Sequence, residues 1–208
     1  VNDQHSLINE IYAACKLQMI EADTTISEAG LGQFEINLVH SHDAMKAADD
    51  AAFFKQIAKG VARKYGLAAS FMAKPYADRP GNGMHLHISL LDGKGKNVFD
   101  DGSDAGSPIL GHALAGALAG LADSMLIFAP HQNSYRRFAI ESHAPMAVCW
   151  GYENRTAALR VPLGPPSQRR VEHRVSGADA NPYLVLAAIL GAILTGLEDQ
   201  KPPPPPIT

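Results

Sequence analysis

The chain of 208 residues is short of cysteine, of charge of one sign and of long apolar runs. Its two cysteines, Cys15 and Cys149, lie far apart and fit no Cys-x-x-Cys pattern. They read as reduced structural thiols of a cytoplasmic protein. Lys and Arg number 18 against 21 Asp and Glu, a net charge of −3. That balance offers no broad basic face and excludes nucleic acid as the main partner. Val1 opens a polar stretch without the charged-then-apolar signature of a signal peptide. The apolar run Leu184 to Leu197 is too short to span a bilayer. The run Ile109 to Phe128 carries His112 and Asp123 and is rich in Ala and Gly, so it reads as a buried helix. No membrane partner is expected. What is present is 46% hydrophobic residues, enough for one sizeable core or part of a larger one.

Periodicity orders the chain. Leu7, Ile8, Ile11, Tyr12, Cys15, Met19 and Ile20 keep helical spacing from His5 to Glu21. After the turn Ala29-Gly30-Leu31-Gly32, alternation from Phe34 to His40 predicts a strand. Asp43 is a plausible cap for a long helix ending near Tyr65, with Gly66 as its stop. Ala69 to Lys74 and Met84 to Leu91 read as strands around a polar loop, and Asp92-Gly93-Lys94-Gly95 as a hairpin turn. Ser107-Pro108 opens a helix. Ala157 to Val161 and Arg169 to Val175 are short strands, and Asn181-Pro182 caps a last helix to Asp199. The expected class is α+β, a largely antiparallel sheet backed by long helices. The chain opens without Met and closes on Pro202–Pro206, Ile207 and Thr208. A proline run favours an extended linker or surface crossing, so a piece of a longer protein is expected, a native tail being the alternative.

Three clusters carry chemistry. Glu28 and Glu35 flank a glycine-containing turn, from which both reach one ion or simply meet solvent. His85 and His87 share a strand face, since side chains two apart do. Glu172 lies between Arg170 and Arg174 on one face, as a ligand set or as an ion-pair ladder. Carboxylates with an imidazole suit Mg²⁺ or Mn²⁺. Arginine forks grip phosphate and carboxylate oxygens. Metal and arginines together are the hardware of phosphoryl transfer from a nucleotide.

Gly32-Gln33-Phe34-Glu35, Phe71-Met72-Ala73-Lys74-Pro75, Gly83-Met84-His85-Leu86-His87, Asn133-Ser134-Tyr135-Arg136-Arg137, Asn154-Arg155, Arg160-Val161-Pro162, Arg170-Val171-Glu172-His173-Arg174 and Ala180-Asn181-Pro182-Tyr183 occur in this order. The set resembles the glutamine synthetase superfamily over nearly the whole chain. The resemblance implies that residues 1–208 are a partial catalytic domain, part of a half-barrel. It implies that a β-grasp domain, the start of the catalytic domain and a C-terminal segment lie outside it. Further metal-binding carboxylates would be among them, so the segment alone is expected to be inactive.

The resemblance also assigns roles. Glu28 and Glu35 match ligands of the metal facing glutamate and the acyl phosphate; His85 and Glu172 match ligands of the metal on the ATP phosphates. His87, Ser89, Arg160 and Arg170 match nucleotide contacts. Arg155 matches the arginine on the transferring phosphoryl group. Arg137 and Arg174 match arginines on the substrate carboxylates, and Gly81 the loop at its amino end. The parent would be a cytoplasmic ring homo-oligomer, the segment monomeric or weakly associated. Its substrates would be ATP, glutamate and an amine, with Mg²⁺ or Mn²⁺.

The sequence departs from the ammonia-using members at the acceptor site. His143 stands where they carry a flap Glu that forms the ammonium pocket and takes its proton. Pro80 replaces an Asn, and Ser167 a frequent Lys near the nucleotide. Ala73 within Phe71–Pro75 is similar to the γ-glutamylpolyamine synthetase branch. A histidine supplies no negative charge for ammonium, though it still accepts a proton near neutral pH. An ATP-dependent γ-glutamyl ligase with an organic amine or polyamine acceptor is therefore expected. Glutamate–ammonia ligase is the first alternative, and a non-catalytic structural or sensing relative the second.

Overall fold

Helix α1 (His5–Leu17) turns Ile8, Ile11 and Cys15 inward, at the three- and four-residue spacing that lines one helical face. Helix α2 (Ala44–Lys64) does the same with Ile57, Ala58, Val61 and Ala62. Asp43 caps α2 as its sequence predicts, accepting from the Met45 and Lys46 backbone N–H groups. Gly66 closes it at φ +68°, a conformation glycine adopts without a Cβ clash. The structure, a computed structural model, describes residues 4–139 and 142–208, so the opening at Val1 lies outside it.

The first helix ends earlier than its periodicity implies. Thr24, Thr25 and Ile26 belong to a strand, β1 (Ala22–Ser27), antiparallel to β2 (Phe34–Leu38). Their β-branched side chains favour the pleated backbone. Ile20 joins Ile11, Cys15, Ile57 and Val61 in a small core, with Ile36, Leu38 and Phe71 against it.

The larger core lies under a four-stranded sheet of β3 (Leu86–Ile88), β4 (Trp150–Tyr152), β5 (Leu159–Val161) and β6 (Val171–His173), in the order β3-β6-β5-β4. Only the β4–β5 pair is parallel, so the α+β class and largely antiparallel sheet hold. Ile88, Leu159, Val161 and Val171 cover one face and meet α3 (Pro108–Ala119) and α6 (Pro182–Asp199) through Leu110, Leu114, Val185, Ile189 and Ile193. Ser107 and Asn181 cap these two helices with their side-chain oxygens.

Four expectations need correction. The run Ile109 to Phe128 is not one helix: α3 stops before Gly120, and α4 (Met125–Phe128) follows, ahead of α5 (Gln132–Tyr135). Ala69 to Lys74 is not a strand. Its backbone is tied by side-chain amides instead, Asn82 Nδ2 donating to Met72 O at 2.8 Å and Asn133 exchanging two bonds of 2.9 Å with Lys74. The sheet strands shrink to three residues each; β5 is stopped by Pro162, which has no N–H for a ladder. Helix α6 has 18 residues and a mean hydropathy of 1.5, long and apolar enough by composition to cross a membrane. Its Val185, Ile189 and Ile193 are nonetheless packed into the core described above.

The proline run crosses the surface as expected. Trp150 Nε1 donates to Pro204 O at 2.7 Å and Ile207 N–H to Trp150 O at 2.8 Å, which covers the outer edge of β4.

Helices α3 and α6 touch through Gly116 and Gly196. A Cβ on Gly116 would stand 2.2 Å from Ala192 O, and one on Gly196 2.3 Å from His112 O. Backbone meets backbone there, so neither neighbour can yield alone. Gly196→Ala is expected to destabilise the chain by roughly 1–3 kcal/mol through overpacking, read as a lower urea midpoint. A wild-type midpoint would show that the helices part freely.

Candidate active site

The polar face of the sheet is built by register. Glu172 on β6 stands opposite His87 on β3 and opposite Arg160 on β5. Residues two apart on a strand share a face, so His85, Arg170 and Arg174 join them. Val171 and His173, between, point into the core.

Glu172 is the centre of this face and only 2% exposed. Arg160 Nη1 donates to its Oε2 at 2.7 Å, and Arg174 Nη1 to its Oε1 at 2.5 Å. His85 Nδ1 lies 3.3 Å and His87 Nε2 3.9 Å from the same Oε1. Burial alone would raise its carboxyl; the hydrogen bond with His85 and the charges of Arg174, His85 and His87 outweigh that and hold it well below the usual carboxylate range. The group is an anion at neutral pH, ready to accept from cations on several sides.

His87 is set as a neutral acceptor. Arg170 Nε donates to its Nδ1 at 3.0 Å. Loss of surrounding water pushes its pKa down to about 4, with Arg170, His85 and Arg160 in the same direction and Glu172 opposing. Arg137 is buried behind this face. Its Nη1 donates to Val175 O at 2.6 Å and its Nη2 to Arg174 O at 2.9 Å. Burial, then the charge of Arg174, lowers its pKa to about 10, with Asp179 opposing, so it stays charged at neutral pH.

The glycine loop lies against Arg137. A Cβ on Gly81 would stand 2.6 Å from Ala73 O and 3.1 Å from Arg137 Cγ, so only glycine fits. The β1–β2 hairpin docks on the same loop. Gln33 Nε2 donates to Gly81 O at 2.9 Å and to Asn82 Oδ1 at 2.7 Å. Glu28 N–H donates to Gln33 O, and Ile26 opposes Glu35. That register puts Glu28, Gln33 and Glu35 on one face. Both glutamates are exposed.

The structure thus gathers His85, His87, Arg160, Arg170, Glu172 and Arg174 and seats Gly81 against Arg137. Arg155 touches the group through its carbonyl, which accepts from Arg174 Nε at 3.1 Å. It does not draw Glu28 and Glu35 into one cluster with them: among the described residues no three His, Cys, Asp or Glu side chains converge as a metal site. Ser89 is exposed one step beyond the end of β3, and His143 is exposed in a bend.

The donor chemistry fits a divalent cation in part. Ligand bonds of about 2.0–2.2 Å put neighbouring ligands ~3 Å apart, and His85 Nδ1 and Glu172 Oε1 are 3.3 Å apart. These two side chains are spaced to share one ion, with further oxygen ligands from elsewhere.

Sequence reasoning overlooked Gln33 and Asn133, whose amides replace backbone ladders, and Glu153, which pairs with Arg160. None carries a periodic signal; an amide beside a glycine-rich turn was the only available hint.

The model of the glutamine synthetase catalytic domain matches residues 1–208. The chain is 46% identical over 202 residues to the γ-glutamylputrescine synthetase PuuA of Escherichia coli (strain K12), covering 97% of this chain and 43% of that protein. It is 42% identical over 209 residues to a glutamate–isopropylamine ligase of a Pseudomonas species, covering 98% of this chain and 45% of that protein. A ligand-free structure of GmaS superposes with a TM-score of 0.89 at 34% identity, covering 99% of this chain and 47% of the other. The chain therefore spans less than half the length of the relatives it matches.

Proposed function

Because the chain belongs to the glutamine synthetase catalytic-domain family, we propose that it is the larger part of the catalytic domain of an ATP-dependent γ-glutamyl ligase acting on an organic amine. The observation that carries this reading is the single polar sheet face that holds His85, His87, Arg160, Arg170, Glu172 and Arg174, found in a chain akin to two amine ligases.

The assigned roles follow the physics of the reaction. ATP's γ-phosphoryl group passes to the γ-carboxylate of glutamate, and the amine then displaces phosphate from the acyl carbon. The first step brings anions together, so fixed positive charge must offset their repulsion. Arg160 and Arg170 hold nucleotide phosphates, with His87 and Ser89 beside the nucleotide. Arg155 meets the phosphoryl group in flight. Arg174 and the Gly81 loop orient glutamate, with the buried Arg137 behind them, holding the Arg174 and Val175 carbonyls. His85 and Glu172 hold one divalent ion, Mg²⁺ or Mn²⁺, and Glu28 and Glu35 another; such ions neutralise phosphate charge. Regions beyond the segment supply the remaining carboxylates. The protein works in the cytoplasm as a ring homo-oligomer.

His143 sets the acceptor. An acidic flap residue attracts ammonium, whereas histidine brings no negative charge in either protonation state. As a base it takes the proton that the attacking amine must lose.

Phosphate release by the full-length protein, with ATP, glutamate and Mg²⁺, across ammonia, putrescine, longer polyamines and monoamines tests the reading. Fastest turnover with an organic amine is expected. Fastest turnover with ammonia would assign a glutamine synthetase. ATP binding without release for any amine would assign a non-catalytic relative. In the same assay His143→Glu is expected to raise the ratio of ammonia to organic-amine turnover about tenfold, the scale of one added charge contact. An unchanged ratio would remove His143 from acceptor selection.

A further inference from the structure

The turn after β4 carries a carboxylate. Glu153 sits there at φ +52°, a left-handed backbone that a residue with a side chain holds only when its surroundings fix it. Two groups do so. Arg160 Nη2 donates to its carboxylate at 3.0 and 3.2 Å, and the Leu163 backbone N–H donates to it as well. Arg160 Nη1 meanwhile donates to Glu172 at 2.7 Å. One guanidinium is strung between two carboxylates, a nitrogen on each.

The same turn reaches the second arginine. Arg155 O accepts from Arg174 Nε at 3.1 Å, and Arg174 Nη1 donates to the other oxygen of Glu172. Asn154 Oδ1 locks the turn by accepting from Thr156 N–H at 2.9 Å and Thr156 Oγ1 at 2.6 Å. Both arginines that grip Glu172 are thus held from behind by residues 153–155.

Resting on the reading of Glu172 as a metal ligand, we propose that Glu153 is a positioning residue for the metal–nucleotide centre. It claims Arg160 Nη2 and so keeps Arg160 to a single nitrogen on the Oε2 side of Glu172. A guanidinium left alone with one carboxylate favours the two-nitrogen fork. Without Glu153, Arg160 closes that fork on Glu172. It then draws in the oxygen that faces His85 Nδ1 at 3.3 Å and competes with the cation for it.

The test uses the full-length protein and Mn²⁺ alone, with free Mn²⁺ read by electron paramagnetic resonance. Glu153→Gly removes the carboxylate and suits the left-handed backbone, so the melting temperature is expected to hold or rise. Glu153→Gln keeps an acceptor for Leu163 N–H but loses the charge on Arg160. The Mn²⁺ dissociation constant is expected to rise about tenfold in E153G, the scale of a lost outer-sphere partner, and by less in E153Q. The Mn²⁺ needed for half-maximal phosphate release rises in step, while KM for glutamate stays. Wild-type Mn²⁺ affinity in E153G overturns the proposal, whatever the melting temperature. A wild-type protein that binds no Mn²⁺ overturns the metal reading itself, a separate result.

Discussion

Glu172→Gln in the full-length protein lowers ATP- and amine-dependent phosphate release by about a hundredfold to a thousandfold, the scale of losing one fixed charge contact at a transition state. The glutamine keeps the shape of Glu172 and removes its charge. Two consequences follow together. The imidazole of His85 loses the anionic oxygen that stands 3.3 Å away, so the pair no longer suits a divalent cation. Arg160 and Arg174 lose their shared counterion, and an amide N–H faces one of them. Removing one partner from a buried ion pair costs about 3–5 kcal/mol, so a melting curve must accompany the kinetics. Glu172→Asp keeps the charge and is expected to fall between. Full activity in a folded Glu172→Gln protein would place the chemistry elsewhere.

Acid is expected to destabilise the chain through the opposite face of the same strand. His173 is 1% exposed, packs against Phe128 with ring centroids 4.5 Å apart and the rings tilted at 53°, and finds no hydrogen-bond partner for either ring nitrogen among the described residues. Burial, reinforced by the charges of His85 and Arg137, pushes its pKa down from 6.5 to about 3. The unfolded chain therefore takes up a proton that the folded chain refuses. Stability from this group is complete above pH 6.5 and is lost as pH falls toward 3. At ~1.4 kcal/mol per unit, the loss at pH 4 is about 3 kcal/mol. His173→Phe keeps a ring against Phe128 and is expected to flatten the decline of the urea midpoint between pH 6.5 and 4. An equal decline in both proteins would assign the acid sensitivity to other groups.

The contrast between Glu172 and His173 shows what the sequence reveals. Alternation along Arg170–Arg174 already separates the Glu172 face from the His173 face, and the His85–His87 pair has the same spacing. Those local patterns depend on backbone geometry alone, and they located the polar sheet face around Glu172. Helix caps at Asp43, Ser107 and Asn181 were legible for the same reason, since one side chain and its own following N–H groups decide them. Strand β1 and the break at Gly120 were not, because pairing partners and tertiary packing decide them. Glu153 and Gln33 were missed because each acts across the fold: Gln33 reaches Gly81, and Glu153 reaches Arg160 by way of a turn. Nothing in their own neighbourhoods marks such reach. The roles proposed for Glu28 and Glu35 come from resemblance, and the hairpin register adds that the two share a face.

The most direct test of the account is an isotope experiment on the full-length protein. Glutamate carrying ¹⁸O in its γ-carboxylate is turned over with ATP, Mg²⁺ and the best amine, and both products are analysed by mass spectrometry. Phosphorylation of the carboxylate followed by displacement moves one labelled oxygen into inorganic phosphate and leaves the other in the γ-glutamyl amide. One ¹⁸O per phosphate is the predicted result. Unlabelled phosphate, released while amide still forms, would contradict phosphoryl transfer to glutamate and with it the role assigned to this sheet face.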